Sequence, residues 1–121
     1  MGDYRKLIVW QRAHTLTVAI YRLLRASRAP WPGKLSDQLA AAAHSIGVNI
    51  AEGSNQSPAQ FARYLSISLG SADEAWAHVL LARELELLDE SASSMLVELR
   101  EIRAMLFALR AKVRRDNGLE S

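Results

Sequence analysis

The chain has 121 residues, 50% apolar and 23% charged, which suits one ordered domain with a single core and is too short for two. It contains no cysteine, which excludes disulfides, thiolate metal sites and cysteine nucleophiles together. No apolar run approaches the roughly 20 residues that span a bilayer, and the charged start Met1-Gly2-Asp3-Tyr4-Arg5-Lys6 lacks the apolar centre of a signal peptide, so a cytoplasmic protein without a membrane partner is expected.

Apolar residues at Trp10, Ala13, Leu16, Ile20 and Leu23 recur at helical spacing and predict a first helix over about residues 6–27. Ala29-Pro30-Trp31-Pro32-Gly33 ends it, because two prolines remove donors and disfavour helix at the residues before them. Ser36 is the expected N-cap of a second helix, about 36–52, with the stripe Leu39, Ala42 or Ala43, Ile46 and Ile50 and with Gly53 as a C-terminal cap. Ser57-Pro58-Ala59-Gln60 combines a capping serine, proline at the first helical position and glutamine at the third. It predicts a third helix over about 58–88. Its apolar face runs through Phe61, Leu65, Ser68, Ala72, Ala75, Val79 and Ala82. A fourth helix, about 90–114, starts near Asp89 or Ser91 and carries Leu99, Ile102, Leu106, Leu109 and Val113 in a heptad-like seam. From about Arg114 the tail has no evident reason to be ordered.

Four helices joined by short turns give an all-α, up-down-up-down four-helix bundle spanning 1–121 as one domain. Between Leu39 and Ala51 the second helix has only His44, Ser45 and Asn49 as polar side chains, so burial against another subunit is expected there. Gly70 sits mid-helix, where glycine costs about 1 kcal/mol relative to alanine. With Ser68, Ser71 and Ala72 it marks a place for close approach of another helix. Ala40, Ala41, Ala42, Ser68 and Ala72 are therefore the expected oligomer interface.

Catalytic constellations are missing. The chain has no phosphate-cradling glycine loop, nucleophile elbow or His-Glu-x-x-His, and no Glu-x-x-His of the di-iron bundles. Glu74 and His78 are spaced i, i+4, but His14, His44 and His78 fall on three different helices, so no metal, no cofactor and no enzymatic activity are expected. Asn49 and Glu52 share a side of the second helix. They read as an amide holding helices in register and a carboxylate bonding donors around the turn from Gly53 to Ser57.

The stretch from Ser45 to Ser54, containing Asn49-Ile50-Ala51-Glu52-Gly53, is followed by Phe61-Ala62-Arg63-Tyr64-Leu65 and Leu69-Gly70-Ser71, and preceded by Leu7-Ile8-Val9-Trp10-Gln11-Arg12-Ala13-His14. Together these resemble the 23S rRNA intervening-sequence protein family, from the opening segment through Leu85-Glu86-Leu87-Leu88. That family is similar in fold to the accessory proteins of diversity-generating retroelements, which work beside a reverse transcriptase and its RNA. The resemblance implies a homopentameric ring, with RNA or a reverse-transcriptase-type protein as further partners. Asn49, Glu52, Gly53, Gly70 and Ser71 are its motif residues. The chain departs from it at Gln38-Leu39-Ala40-Ala41-Ala42-Ala43, where relatives commonly carry two arginines, and at Trp76, where they often carry glutamate.

The net charge is only +2, but it is unevenly placed: residues 1–34 carry seven basic groups against Asp3 alone, and residues 35–109 carry ten acidic groups against four basic. The bundle topology gathers Arg5, Lys6, Arg12, Arg63, Arg110, Lys112, Arg114 and Arg115 at one pole, opposed by Asp3, Glu52, Asp116 and Glu120. A ring of parallel subunits would join these poles into a basic rim able to track phosphates. The expected function is thus a non-enzymatic oligomeric accessory that binds RNA on this rim. The alternative is a protein-interaction scaffold with no nucleic-acid role.

Overall fold

A computed structural model describes residues 3–119. A short 3-10 turn at Tyr4–Lys6 leads into four helices: α1 (Ile8–Ala26), α2 (Leu35–Ser54), α3 (Pro58–Glu84) and α4 (Ser91–Asp116). The described residues contain no strand. No helix among them is long and apolar enough to cross a membrane.

Neighbouring helices run antiparallel. On α2 and α3, Ser68 Oγ donates to the Ile46 carbonyl at 2.8 Å and the Ser71 hydroxyl bonds that of Ser45 at 2.8 Å. On α1 and α2, Thr17 Oγ1 reaches both the Ala13 and Ala43 carbonyls, at 2.8 and 3.1 Å. On α3 and α4, Arg103 Nε donates to Asp73 at 2.7 Å and Arg110 to Ser66 at 3.0 Å. The buried hydroxyls of Thr17 and Ser68 are thereby satisfied by backbone, which removes most of the cost of placing them in the core. Around them pack Ile20, Leu39, Ile46, Ile50, Phe61, Leu65, Leu99, Ile102 and Leu106, drawn from all four helices and each at most 2% exposed.

The helix ends depart from expectation in instructive ways. Ser36 is not the cap of α2. The helix starts at Leu35, which is buried, and the N-cap position is Lys34, with no side-chain bond. Gly33, at φ +55°, supplies the turn that lets Leu35 begin the helix. Ser57 does cap α3, accepting from the Gln60 N–H at 3.3 Å, with Pro58 at the first helical position. That helix stops at Glu84 rather than near Leu88. Glu86 takes φ 60° while its N–H bonds the Arg83 carbonyl and the Leu87 N–H bonds Ala82, a Schellman ending built on a non-glycine residue. Asp89 Oδ1 accepts from the Ser91 N–H at 2.9 Å at the entry to α4, and that bond holds the Asp89 carboxyl below its ordinary range. Beyond Arg114 the chain stays helical to Asp116, where Gly118 at φ 64° and the Leu119 N–H bond to Arg114 close a second Schellman ending. As far as Leu119 the tail is held because these bonds satisfy its last carbonyls, and the rest of it lies outside the described residues.

Of the two motif glycines, Gly53 corrects the sequence reading. Gly53 lies inside α2 and has no positive φ, so it is not a cap. A Cβ there would stand 2.5 Å from Tyr64 Cβ and 3.1 Å from a Phe61 ring carbon. Its role is the close crossing of α2 over the start of α3. Gly70, expected to admit a neighbouring helix, has nothing within 4 Å of where a Cβ would be and is exposed.

Candidate functional site

The bundle topology does bring the start of α1, the α2–α3 turn and the end of α4 to one end of the molecule, as the antiparallel pairings require. The eight basic side chains expected there nevertheless differ in availability. Arg12 leaves the pole altogether. Its guanidinium lies against α4, where Nε bonds Glu98 at 2.9 Å and Nη2 bonds Glu101 at 2.6 Å, and these contacts push its pKa further up. It holds α1 to α4, a pair with little other contact, and is spent as a structural ion pair. Arg5 is bound by Asp3 at 2.9 Å and Lys112 by Asp116 at 2.6 Å. Arg110 donates to Ser66 and lies 5.2 Å from the centre of the Phe107 ring. Among the described residues this leaves Lys6, Arg63, Arg114 and Arg115 exposed and without an ion-pair partner. Glu120, counted among the opposing acids, lies outside the described residues.

The interface residues sort just as unevenly. Ala40, Ala42, Ser68 and Ala72 are buried within the single chain, at 6, 4, 0 and 1% exposure, which leaves little of their surface for another molecule. Only Ala41 is exposed. The stripe Leu39, Ala42 or Ala43, Ile46 and Ile50 does face the core as its spacing predicts; Ala42, Ser68 and Ala72 fall in both the predicted core stripes and the expected interface, because spacing alone does not say where one face ends. The outer surface of α2 and α3 is instead formed by Ala41, His44 and Val48 with Ile67, Gly70, Ala77 and Leu81. Val48, Ile67 and Leu81 are 44, 44 and 48% exposed and are the large apolar side chains of that surface.

Asn49 donates to the carbonyl and hydroxyl of Ser45 on its own helix, at 2.8 and 2.9 Å, and Ser45 in turn reaches Ser71 on α3. The amide therefore orients a hydroxyl pair that spans α2 and α3 and does not cross between helices itself. Glu52 is exposed, and no bond from it to the turn exists among the described residues, contrary to expectation. His78 Nε2 sits 3.2 Å from Glu74 Oε2 as one i, i+4 pair. The described residues hold no group of three potential metal ligands.

A second surface had no sequence signal strong enough to single it out. Between α3 and α4 lies a cavity of about 570 Å³ lined by Trp76, Leu80, Leu96 and Val97, with Arg83 and Arg100 at its edges. A smaller one of about 190 Å³ shares Trp76 and Arg100 and extends to Asp73 and Arg103. The recurrence of Ser93, Val97, Arg100, Phe107 and Arg110 along the exposed side of α4 was the available clue.

The family model described as 23S rRNA-intervening sequence protein matches residues 5–108, nearly the whole bundle. Among solved structures, the chain is similar to a protein of unknown function from the S23 ribosomal protein family of Bacteroides thetaiotaomicron. The two are 26% identical with a TM-score of 0.76, over 85% of this chain and 98% of that one. No curated protein matches the sequence. The matched span includes the Asn49–Ser45–Ser71 linkage and the Gly53 crossing, and the chain belongs to the 23S rRNA-intervening sequence protein family.

Proposed function

We propose that this chain is a non-enzymatic cytoplasmic scaffold that assembles with copies of itself through the outer face of α2 and α3, in the ring of five that the family resemblance implies. Gly70 carries the reading. A glycine in the middle of a 27-residue helix costs about 1 kcal/mol relative to alanine, and no contact among the described residues repays it. A second subunit crossing there, between the exposed Ile67 and Leu81, would. Light scattering or native mass spectrometry should give several times the 13.4 kDa monomer mass at micromolar concentration. Val48→Glu with Ile67→Glu, both on exposed positions, should return the mass to that of one chain while the helical circular dichroism signal is kept. A wild type that runs as a monodisperse monomer refutes the reading.

A nucleic-acid role is the second reading, favoured by the four cations that have no ion-pair partner among the described residues at one pole, Lys6, Arg63, Arg114 and Arg115. If they contact phosphates, the logarithm of RNA affinity should fall linearly with the logarithm of salt, by about 0.7–0.9 per phosphate neutralised. Changing all four to glutamine should flatten that slope, whereas Arg12→Gln should leave it unaltered because Arg12 is occupied by Glu98 and Glu101. No RNA binding at low salt would leave the scaffold reading alone.

A further inference from the structure

We propose that the α3/α4 groove receives an acidic amphipathic helix from a partner protein. Its floor is made by Trp76, Leu80, Leu96 and Val97, and Val97 is 58% exposed, so the apolar surface is open rather than sealed. Arg83 and Arg100 stand on opposite helices at the edges and have no ion-pair partner among the described residues. The carboxylate that also lines the groove, Glu101, is engaged from α1 by Arg12 and does not neutralise them.

Three features select this occupant. The larger cavity extends from Arg83 back to Trp76 along α3, about 10 Å at the helical rise, which is the length of nearly two turns of a docked helix, and the Asp73–Arg103 ion pair between α3 and α4 bounds it at that end. A helix laid in a groove between two others presents apolar anchors at i, i+3 or i+4 and i+7, and the aliphatic floor offers sites for such anchors. The unpaired guanidiniums on both sides call for carboxylates flanking those anchors, since Arg pairs well with planar carboxylates. A nucleic-acid strand fits less well, because bases stack on aromatic faces and most of this floor is aliphatic.

Fluorescence anisotropy on the full chain tests it with three labelled probes: a 15-residue helical peptide with leucine anchors flanked by glutamates, the same peptide flanked by lysines, and a short single-stranded RNA. The acidic peptide should bind at least about tenfold more tightly than the basic one. Arg83→Glu with Arg100→Glu should invert that order, and Val97→Asp should abolish binding of both peptides. All three positions are exposed, so the fold, followed by circular dichroism, should persist. The proposal is overturned if the two peptides bind alike or the charge reversal does not exchange their preference. It is equally overturned if RNA is the probe that these variants release. A drop in oligomer mass on charge reversal would also overturn it, because the groove would then be filled by a second copy of this chain; loss of mass confined to the Val48 and Ile67 variants concerns the assembly face alone.

Discussion

Ala42→Glu should unfold this protein, while Ala41→Glu, one residue earlier, should leave it folded. Ala42 is 4% exposed and belongs to the core shared by the four helices, whereas Ala41 lies on the outer side of α2. A glutamate at Ala42 meets apolar neighbours with no cation in the core to pair with it, and an unpaired buried carboxylate costs several kcal/mol even after its proton uptake. Against a total stability of about 5–15 kcal/mol, that is enough to abolish cooperative folding or bring it close to failure. At Ala41 the carboxylate remains in water, so the thermal transition should move little and any effect should fall on the oligomer mass. Circular dichroism melting of the two variants with native mass spectrometry checks both halves. Two equally stable variants would mean that Ala42 is not enclosed by the chain's own core.

Gly53→Ala should be the second large loss, and it runs against helix propensity. Alanine within a helix normally gains about 1 kcal/mol over glycine. At Gly53 the new methyl group would lie 2.5 Å from Tyr64 Cβ, an atom fixed to the α3 backbone that no rotamer change can move. The helices must separate or bend, and overpacking of this kind costs about 1–3 kcal/mol, with Gly53→Val costing more. Gly70→Ala supplies the internal control, because its methyl group meets nothing in the chain and should stabilise the isolated fold by up to about 1 kcal/mol. Urea denaturation in the monomeric Val48→Glu, Ile67→Glu background separates this intrinsic effect from assembly. A Gly53→Ala variant as stable as its parent would show that α2 and α3 are not held as closely as the crossing implies.

The candidate surfaces were less legible than the fold. Summing basic residues at one pole grouped elements that do share one end of the molecule but overcounted its free charge, because Arg12 reaches Glu98 and Glu101, 86 and 89 positions away in sequence. No local pattern reports such a pairing. The α3/α4 groove was missed for a related reason: Trp76 and Val97 look like isolated apolar residues on their own helices and become a surface only when antiparallel packing places them together.

The sequence by itself determined that this is an all-α protein, where its helices lie to within a few residues, and which faces of α3 and α4 enter the core: Phe61, Leu65, Ala75 and Val79, with Leu99, Ile102 and Leu106, are all buried as their spacing requires. Helical periodicity and capping are local properties, written in neighbouring residues. Tertiary structure alone decided that Ala40, Ala42, Ser68 and Ala72 are enclosed by the chain itself, that Gly53 marks a crossing and Gly70 an exposed outer surface, and that half the basic pole is tied within the chain by ion pairs and by the Arg110 contacts. Each of these depends on the distance between side chains remote in sequence, and that distance is set only when the helices pack.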